Sequence, residues 1–419
     1  MQTLEELREG KLQGVKRLTL AEDLNHFPLE ILTLSDTLEI LDLSNNKLTN
    51  IPEEITQLSK LKIAFFSNNL FTHFPSSFKK CPKLYMLGFK ANQIEHFPED
   101  VLPLDLSWLI ITDNKIKALP HSLGKLHKLQ KFSTAGNQLT SLPEEMANCH
   151  NLELLRISAN KLTHIPSWLS TLPKLSWLAF SGNPCSIKVE ANLPELDYKT
   201  LDVKELLGEG ASGKIFKGHA KTLGHDVAIK VFKGDVTSDG YAIDEMHAYM
   251  STGEHPHLIK VLAKISGSNP LGLVLELIPA SYENLGFPPN FQTCTRDTFK
   301  EGTIFDIETI YNIAKAMISA SAHLHNKGLM HGDLYAHNIL IHKQQLHTYL
   351  GDFGAASFYD RENKNFEKIE VRALGCLLDD LLQRCKENTS DTYQLLQKLS
   401  LTCMSEQVSS RPLFSEIVL

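Results

Sequence analysis

His331-Gly332-Asp333-Leu334-Tyr335-Ala336-His337-Asn338 is followed, fourteen residues after Asn338, by Asp352-Phe353-Gly354. The first stretch sets a carboxylate and a carboxamide five residues apart, and the second opens with another carboxylate. Hard oxygen donors of this kind suit magnesium, and one carboxylate remains to orient an attacking hydroxyl. Transfer of a phosphoryl group from a nucleotide uses such a set. Just before it, Ile310, Ile313, Ala314, Met317, Ala320 and Leu324 recur at helical spacing between Ile307 and Lys327, and Gly328 is a helix stop. The reactive groups therefore fall on loops that follow a helix with a buried face.

Upstream, Leu201-Asp202-Val203 opens an apolar strand that runs into Gly208-Glu209-Gly210-Ala211-Ser212-Gly213-Lys214-Ile215. Ile215-Phe216-Lys217-Gly218 reads as a returning strand, so the glycines lie in a hairpin where backbone amides can approach phosphates. Val227-Ala228-Ile229-Lys230 alternates as a half-buried strand does. On the helical stretch Tyr241 to Ser251, Glu245 is the candidate ion-pair partner of Lys230, and Asp244 competes from another helix direction. Leu273-Val274-Leu275-Glu276-Leu277-Ile278 reads as a buried strand, and Arg411-Pro412-Leu413-Phe414 stands near the end.

In this order the motifs resemble the protein-kinase family over about residues 198–419. The resemblance implies an α+β two-lobed protein-kinase-like domain, with an N-lobe at 198–278, a C-lobe at 279–419, and ATP and Mg²⁺ as cofactors. It assigns Asp333 as catalytic base, and Lys230 to the α- and β-phosphates with Glu245 orienting it. Asn338 and Asp352 become magnesium ligands. Gly208, Gly210, Ser212, Gly213, Ile215, Ala228, Glu276 and Ile278 would line the nucleotide site, the last two through backbone groups with Leu275 behind the adenine. His331 is expected to support the Phe353-Gly354 turn, and Arg411 to brace the segment after it.

Several residues depart from the family pattern. Gly332 stands where arginine is usual, and that arginine is one half of a switch in which loop phosphorylation creates an ion pair. From Gly354 to the helix containing Val371-Arg372-Ala373-Leu374-Gly375 there are only about sixteen residues, and Ser357 and Tyr359 are the hydroxyl acceptors among them. No A-P-E follows, leaving Glu362 and Glu367 as candidate partners for Arg411. Tyr335 replaces the lysine or alanine usual at its place. Three readings result: a protein kinase not switched by its own loop, a small-molecule phosphotransferase like aminoglycoside or choline kinases, and a nucleotide-binding scaffold. The complete set of nucleotide and metal residues favours the first.

The N-terminal half is periodic. Asparagines 46, 69, 92, 114, 137, 160 and 183 are spaced by 22 or 23 residues, each after apolar positions such as Leu38-Leu41-Leu43. Pro52, Pro75, Pro98, Pro120, Pro143 and Pro166 each come six residues after one of them. With Val15-Leu18-Leu20 as a degenerate first copy, about eight units resemble the leucine-rich repeat over 12–185, an α/β solenoid. A connector at 186–197 would join the two domains. Strand alternation predicts an outward column with Ile40, Ile63, Met86, Trp108, Leu154 and Trp177, whose apolar character implies a protein substrate or regulator docked there. Coverage by another part of the chain is the alternative.

A net charge of −7 argues against nucleic-acid or anionic-membrane partners. Seven scattered cysteines without C-x-x-C spacing suit a reducing compartment. The acidic start and the lack of an apolar run near 18 residues make the expected location cytoplasmic.

Overall fold

The computed structural model describes all residues except 1, 188, 190–192, 211, 234, 235, 268–270 and 343. Ala211 of the glycine stretch and residues 188 and 190–192 of the expected connector thus lie outside the described residues. The chain divides into two compact units: Met1–Leu172 with Asn183–Cys185, and Pro173–Gly182 with Ser186–Leu419.

The first unit opens with a short helix, α1 (Leu4–Arg8), closed by a capping box between Thr3 and Glu6. Seven three-residue strands follow: β1 (Arg17–Thr19), β2 (Ile40–Asp42), β3 (Ile63–Phe65), β4 (Met86–Gly88), β5 (Trp108–Ile110), β6 (Lys131–Ser133) and β7 (Leu154–Arg156). They pair in parallel and in register, so Ile63, Met86, Trp108, Lys131 and Leu154 stand side by side. A strand this short leaves backbone groups unpaired, and the repeat asparagines take them up. Asn69 donates to the carbonyls of Leu43 at 2.9 Å and Phe66 at 3.1 Å, while its oxygen accepts from the Leu48 N–H at 2.9 Å. Asn92, Asn114, Asn137 and Asn160 repeat the same reach to the preceding copy. These residues are buried and structural. The return segments are single 3₁₀ turns, four of them entered through Pro52, Pro120, Pro143 and Pro166, where the ring presets the backbone angle. Inside, Phe66, Phe71, Phe74, Phe78 and Phe89 form one cluster of stacked and edge-on rings.

The expected docking column does not stand as an exposed apolar surface. Ile63, Met86, Trp108 and Leu154 are between 1% and 8% exposed, Trp177 is 2% exposed, and Ile40 is half-buried. In-register strands put successive side chains about 4.8 Å apart, so large neighbours shield one another. The Lys131 ammonium sits 4.2 Å from the centre of the Trp108 ring. In the adjacent column, a β-carbon on Gly88 would fall 2.7 Å from the Phe65 ring. Trp177 belongs to the second unit, and its cover there is described below.

The second unit begins with β8 (Trp177–Ala179). Part of the stretch expected to be a connecting loop is a strand, β9 (Glu195–Asp197), paired in parallel with β13 (Val261–Ser266). With β10 (Leu201–Glu209), β11 (Gly213–Ala220), β12 (His225–Phe232) and β14 (Gly272–Glu276), these form a six-stranded sheet in the order β10-β11-β12-β14-β13-β9. Val227, Ile229, Ala263, Ile265 and Val274 fill its core. Helix α2 (Ala242–Ser251) follows β12.

Beyond β14 the chain is mainly helical. Helix α3 (Ile307–Asn326) buries the six residues predicted from its periodicity, and Gly328 ends it in the left-handed region, at φ +69°. Strand β15 (Tyr282–Asn284) pairs with β17 (Ile339–His342), which pairs with β18 (His347–Leu350). The catalytic-loop candidate enters through β16 (Leu329–Met330), paired with β19 (Ser357–Phe358). Helices α4 (Asn365–Leu382) and α5 (Asp391–Cys403) complete the unit. Because α4 starts at Asn365, the segment after Gly354 is shorter than its motifs suggest.

Between α2 and β13, the His255 ring lies 5.0 Å from that of His323 and 5.7 Å from that of His257. Burial, with the charges of His323 and His257, lowers the His255 pKa to about 4. The unfolded chain takes up this proton first, so the contribution of His255 to stability is full above about pH 6.5 and is lost toward pH 4. Thermal unfolding of His255→Gln should fall less steeply than wild type between pH 7 and pH 5. His337, whose raised pKa acts in the opposite direction, is common to both proteins. Equal slopes would remove His255 as a source of acid sensitivity.

Candidate active site

The glycine stretch joins two antiparallel strands, β10 and β11, as a hairpin rather than a strand and helix. Gly210 N–H donates to Gly213 O at 2.9 Å, and Lys233 N–H donates to Ser212 O at 2.9 Å. Gly208 and Gly210 have open space where a β-carbon would project, whereas Gly213 backs onto the carbonyl of Val231. Ile215 pairs opposite Lys230, and Ala228 is buried on the same strand, β12.

Lys230 is 5% exposed and forms an ion pair with Glu245, itself 2% exposed on the first turn of α2. The helix turns Glu245, not Asp244, toward the strand. The Lys230 ammonium also lies 5.0 Å from the centre of the Tyr249 ring. Burial alone would depress the lysine, but Tyr249, Glu245 and Asp352 hold its pKa above the ordinary value. It is therefore a fixed cation. At the end of β14, the N–H of Glu276 is already committed to Lys260 O at 2.9 Å, and the following residues to Ile278 are half-buried.

In the loop after β16, His331 Nε2 donates to Gly351 O at 2.9 Å and its Nδ1 accepts from the Asp333 N–H at 3.3 Å. Its ring meets Phe353 edge to face at 4.9 Å. Both ring nitrogens are occupied, which makes His331 a support. Asn338 donates to the Asp333 carbonyl at 2.9 Å and to its carboxylate at 3.1 Å. Asp333 and Asn338 are thus brought together. Asp352 has φ +55°, a left-handed conformation that costs energy in a non-glycine residue. Its backbone N–H donates to the Tyr249 hydroxyl at 3.0 Å, and its carboxylate accepts from Gly354 N–H at 3.2 Å. Burial would raise this carboxyl, but Lys230 and the Gly354 N–H keep its pKa below the ordinary value. It stays an anion.

The donor set fits magnesium. The Asn338 amide turns its nitrogen to Asp333 and so points its oxygen the other way, while Asp352 offers an ionised carboxylate. Two protein oxygens, completed by water and phosphate oxygens, are the usual protein share for this ion.

Residues 201–377 match the protein kinase domain family, and residues 36–102 and 134–184 match the leucine rich repeat family. The chain carries leucine-rich repeats followed by a protein kinase domain. A serine/threonine-protein kinase of Arabidopsis thaliana is 28% identical over 167 residues, which is 39% of this chain and 33% of the relative. An L-type lectin-domain containing receptor kinase of the same plant is 27% identical over 226 residues, 52% of this chain and 32% of the relative. The proto-oncogene tyrosine-protein kinase ROS of Gallus gallus is 27% identical over 234 residues, 51% of this chain and 10% of the relative. The chain therefore spans a third or less of these relatives.

Within the kinase domain, three supports escaped the sequence reading. Glu370 on α4 is fully buried and accepts from the N–H groups of His331 at 3.2 Å and Gly332 at 2.6 Å. His325 on α3 places Nε2 2.7 Å from the same carboxylate. Tyr249 on α2 touches Lys230, Phe353 and the Asp352 backbone together. An acidic residue amid the apolar face of α4 was the available signal for Glu370. Arg411 meets neither expected glutamate partner in the way the motif suggested. Its guanidinium donates to the carbonyls of Ser405, Lys368 and Pro173, while Glu367 accepts from Phe414 N–H.

Proposed function

We propose that the kinase domain transfers the γ-phosphoryl group of ATP to a hydroxyl of a protein, with Mg²⁺. The observation that carries this reading is the buried Lys230–Glu245 pair, held within electrostatic reach of the Asp352 carboxylate. A cation so fixed serves to hold phosphate oxygens, and the glycine hairpin brings backbone amides to the same charge. Asp333 accepts the hydrogen bond of the incoming hydroxyl and orients its oxygen, and Asn338 fixes the Asp333 carboxylate. Asn338 and Asp352 would hold magnesium, which when bound neutralises charge on the phosphates. The backbone carbonyl of Glu276 and the backbone of Ile278 are left to meet the adenine.

Loop phosphorylation does not fit as the switch. Ser357 is fully buried, accepts from Phe180 N–H at 3.0 Å and donates to Ala355 O at 3.3 Å. Tyr359 is buried, with its hydroxyl 2.7 Å from His325 Nδ1. Recruitment of substrate or regulator by the repeats would use their exposed residues, since Ile63, Met86, Trp108, Leu154 and Trp177 are buried. Seven free cysteines support a reducing compartment such as the cytoplasm, and among the described residues no helix is long and apolar enough to cross a membrane.

The test is phosphate incorporation into the protein itself or a generic protein acceptor. Transfer should require Mg²⁺ and disappear in Asp333→Asn. Nucleotide binding without transfer by the wild type would point to the scaffold reading instead.

A further inference from the structure

We propose that residues 173–182 are a permanent brace for the catalytic loop and that Trp177 is a positioning residue for Asp333, an inference that rests on the phosphotransfer reading above. The Trp177 indole stacks on Tyr335 with ring centres 4.3 Å apart and planes 5° from parallel. Its N–H donates to the Leu334 carbonyl at 3.3 Å. Leu334 and Tyr335 immediately follow Asp333, so both contacts fix the backbone that carries the carboxylate. One residue on, the Leu178 carbonyl comes so close to Gly332 that a β-carbon there would lie 2.6 Å from it. Gly332 has φ +76°, and its N–H is held by Glu370 from within the domain. The loop is thus gripped between α4 and the segment 173–182.

The same ten residues reach three other places. Phe180 N–H donates to Ser357 Oγ, and its ring stacks on Phe366 at 5.1 Å. Pro173 O accepts from Arg411 at 2.7 Å, and Lys174 O accepts from Arg372 at 3.2 Å. Catalytic loop, post-Gly354 segment, α4 and the C-terminal arginine are therefore tied to one ten-residue segment. Two departures in the sequence then have one cause. Gly332 makes room for the Leu178 carbonyl, and the segment 355–364 can be short because 173–182 supplies its contacts. The ties are an aromatic stack and neutral carbonyls, so no phosphate is needed to form them.

The test uses the full chain with Trp177→Ala and Trp177→Phe. Amide hydrogen exchange in 331–338 should be at least about tenfold faster in Trp177→Ala, while α5 is unchanged. The kcat for phosphate transfer should fall at least about tenfold with the KM for ATP within about twofold, because the groups assigned to nucleotide lie elsewhere. Trp177→Phe, which keeps a ring to stack, should recover most of both losses. Unchanged exchange in 331–338, or equal loss of protection throughout the domain, would overturn the brace. An inactive wild type would count against the proposed function alone, and the exchange comparison would still decide the brace.

Discussion

Gly332→Arg, which restores the residue usual in the family, should remove most phosphotransfer activity and lower stability. A β-carbon at this position would sit 2.6 Å from both the Ala355 and Leu178 carbonyl oxygens. Neither is the end of a flexible side chain, so backbone must move. The positive φ adds about 1–2 kcal/mol for any non-glycine residue. The arginine would also begin in a buried place already crossed by Glu370. Gly332→Ala isolates the effect, because it adds the β-carbon alone. Gly302 is the matched control, with φ +76° and no atom within 4 Å of its virtual β-carbon. We expect Gly302→Ala to show only the backbone cost in thermal unfolding, and Gly332→Ala to show more, with at least about a 10²-fold loss of transfer rate. Equal behaviour of the two alanine variants would remove the close approach as the reason for glycine.

Lys230→Met should be damaging twice over. It removes the phosphate-holding cation, and it leaves Glu245 buried without its ion partner. Breaking one side of a buried pair costs about 3–5 kcal/mol, so the denaturation midpoint should fall as well as the activity. The double variant Lys230→Met/Glu245→Leu should recover much of the stability, because both desolvated charges are gone, and none of the activity. Single and double variants of equal stability would show that the pair is not an uncompensated charge problem. Activity in either would contradict the assignment of Lys230.

What could be read from the sequence followed local rules. The 23-residue period and its asparagines report backbone groups that each short strand leaves open, and the structure fills them as Asn69 shows. The helix spacing of α2 left Glu245 and Asp244 as rivals, and the turn direction chose between them. What stayed hidden depends on contacts distant in sequence. Alternation says which side chains leave a strand on one face, but not what covers that face, so Trp108 and Trp177 looked like anchors for a partner. Nothing in the period separates Trp177 from the other repeats, yet its segment falls in the second compact unit and stacks on a residue 158 positions later. The partners of Glu370 and the pairing of the three-residue β9 were equally hidden, since each acts through other elements. Gly332 and the short segment after Gly354 were the local traces of that long-range packing.

Whether Asp333 is the centre of phosphotransfer is decided by the intact mass of the full chain after incubation with ATP and Mg²⁺, beside Asp333→Asn treated alike. Phosphate should be added to the wild-type protein, or to a protein acceptor supplied with it, and none should appear with Asp333→Asn. Equal phosphate from the two proteins would contradict the placement of catalysis at Asp333.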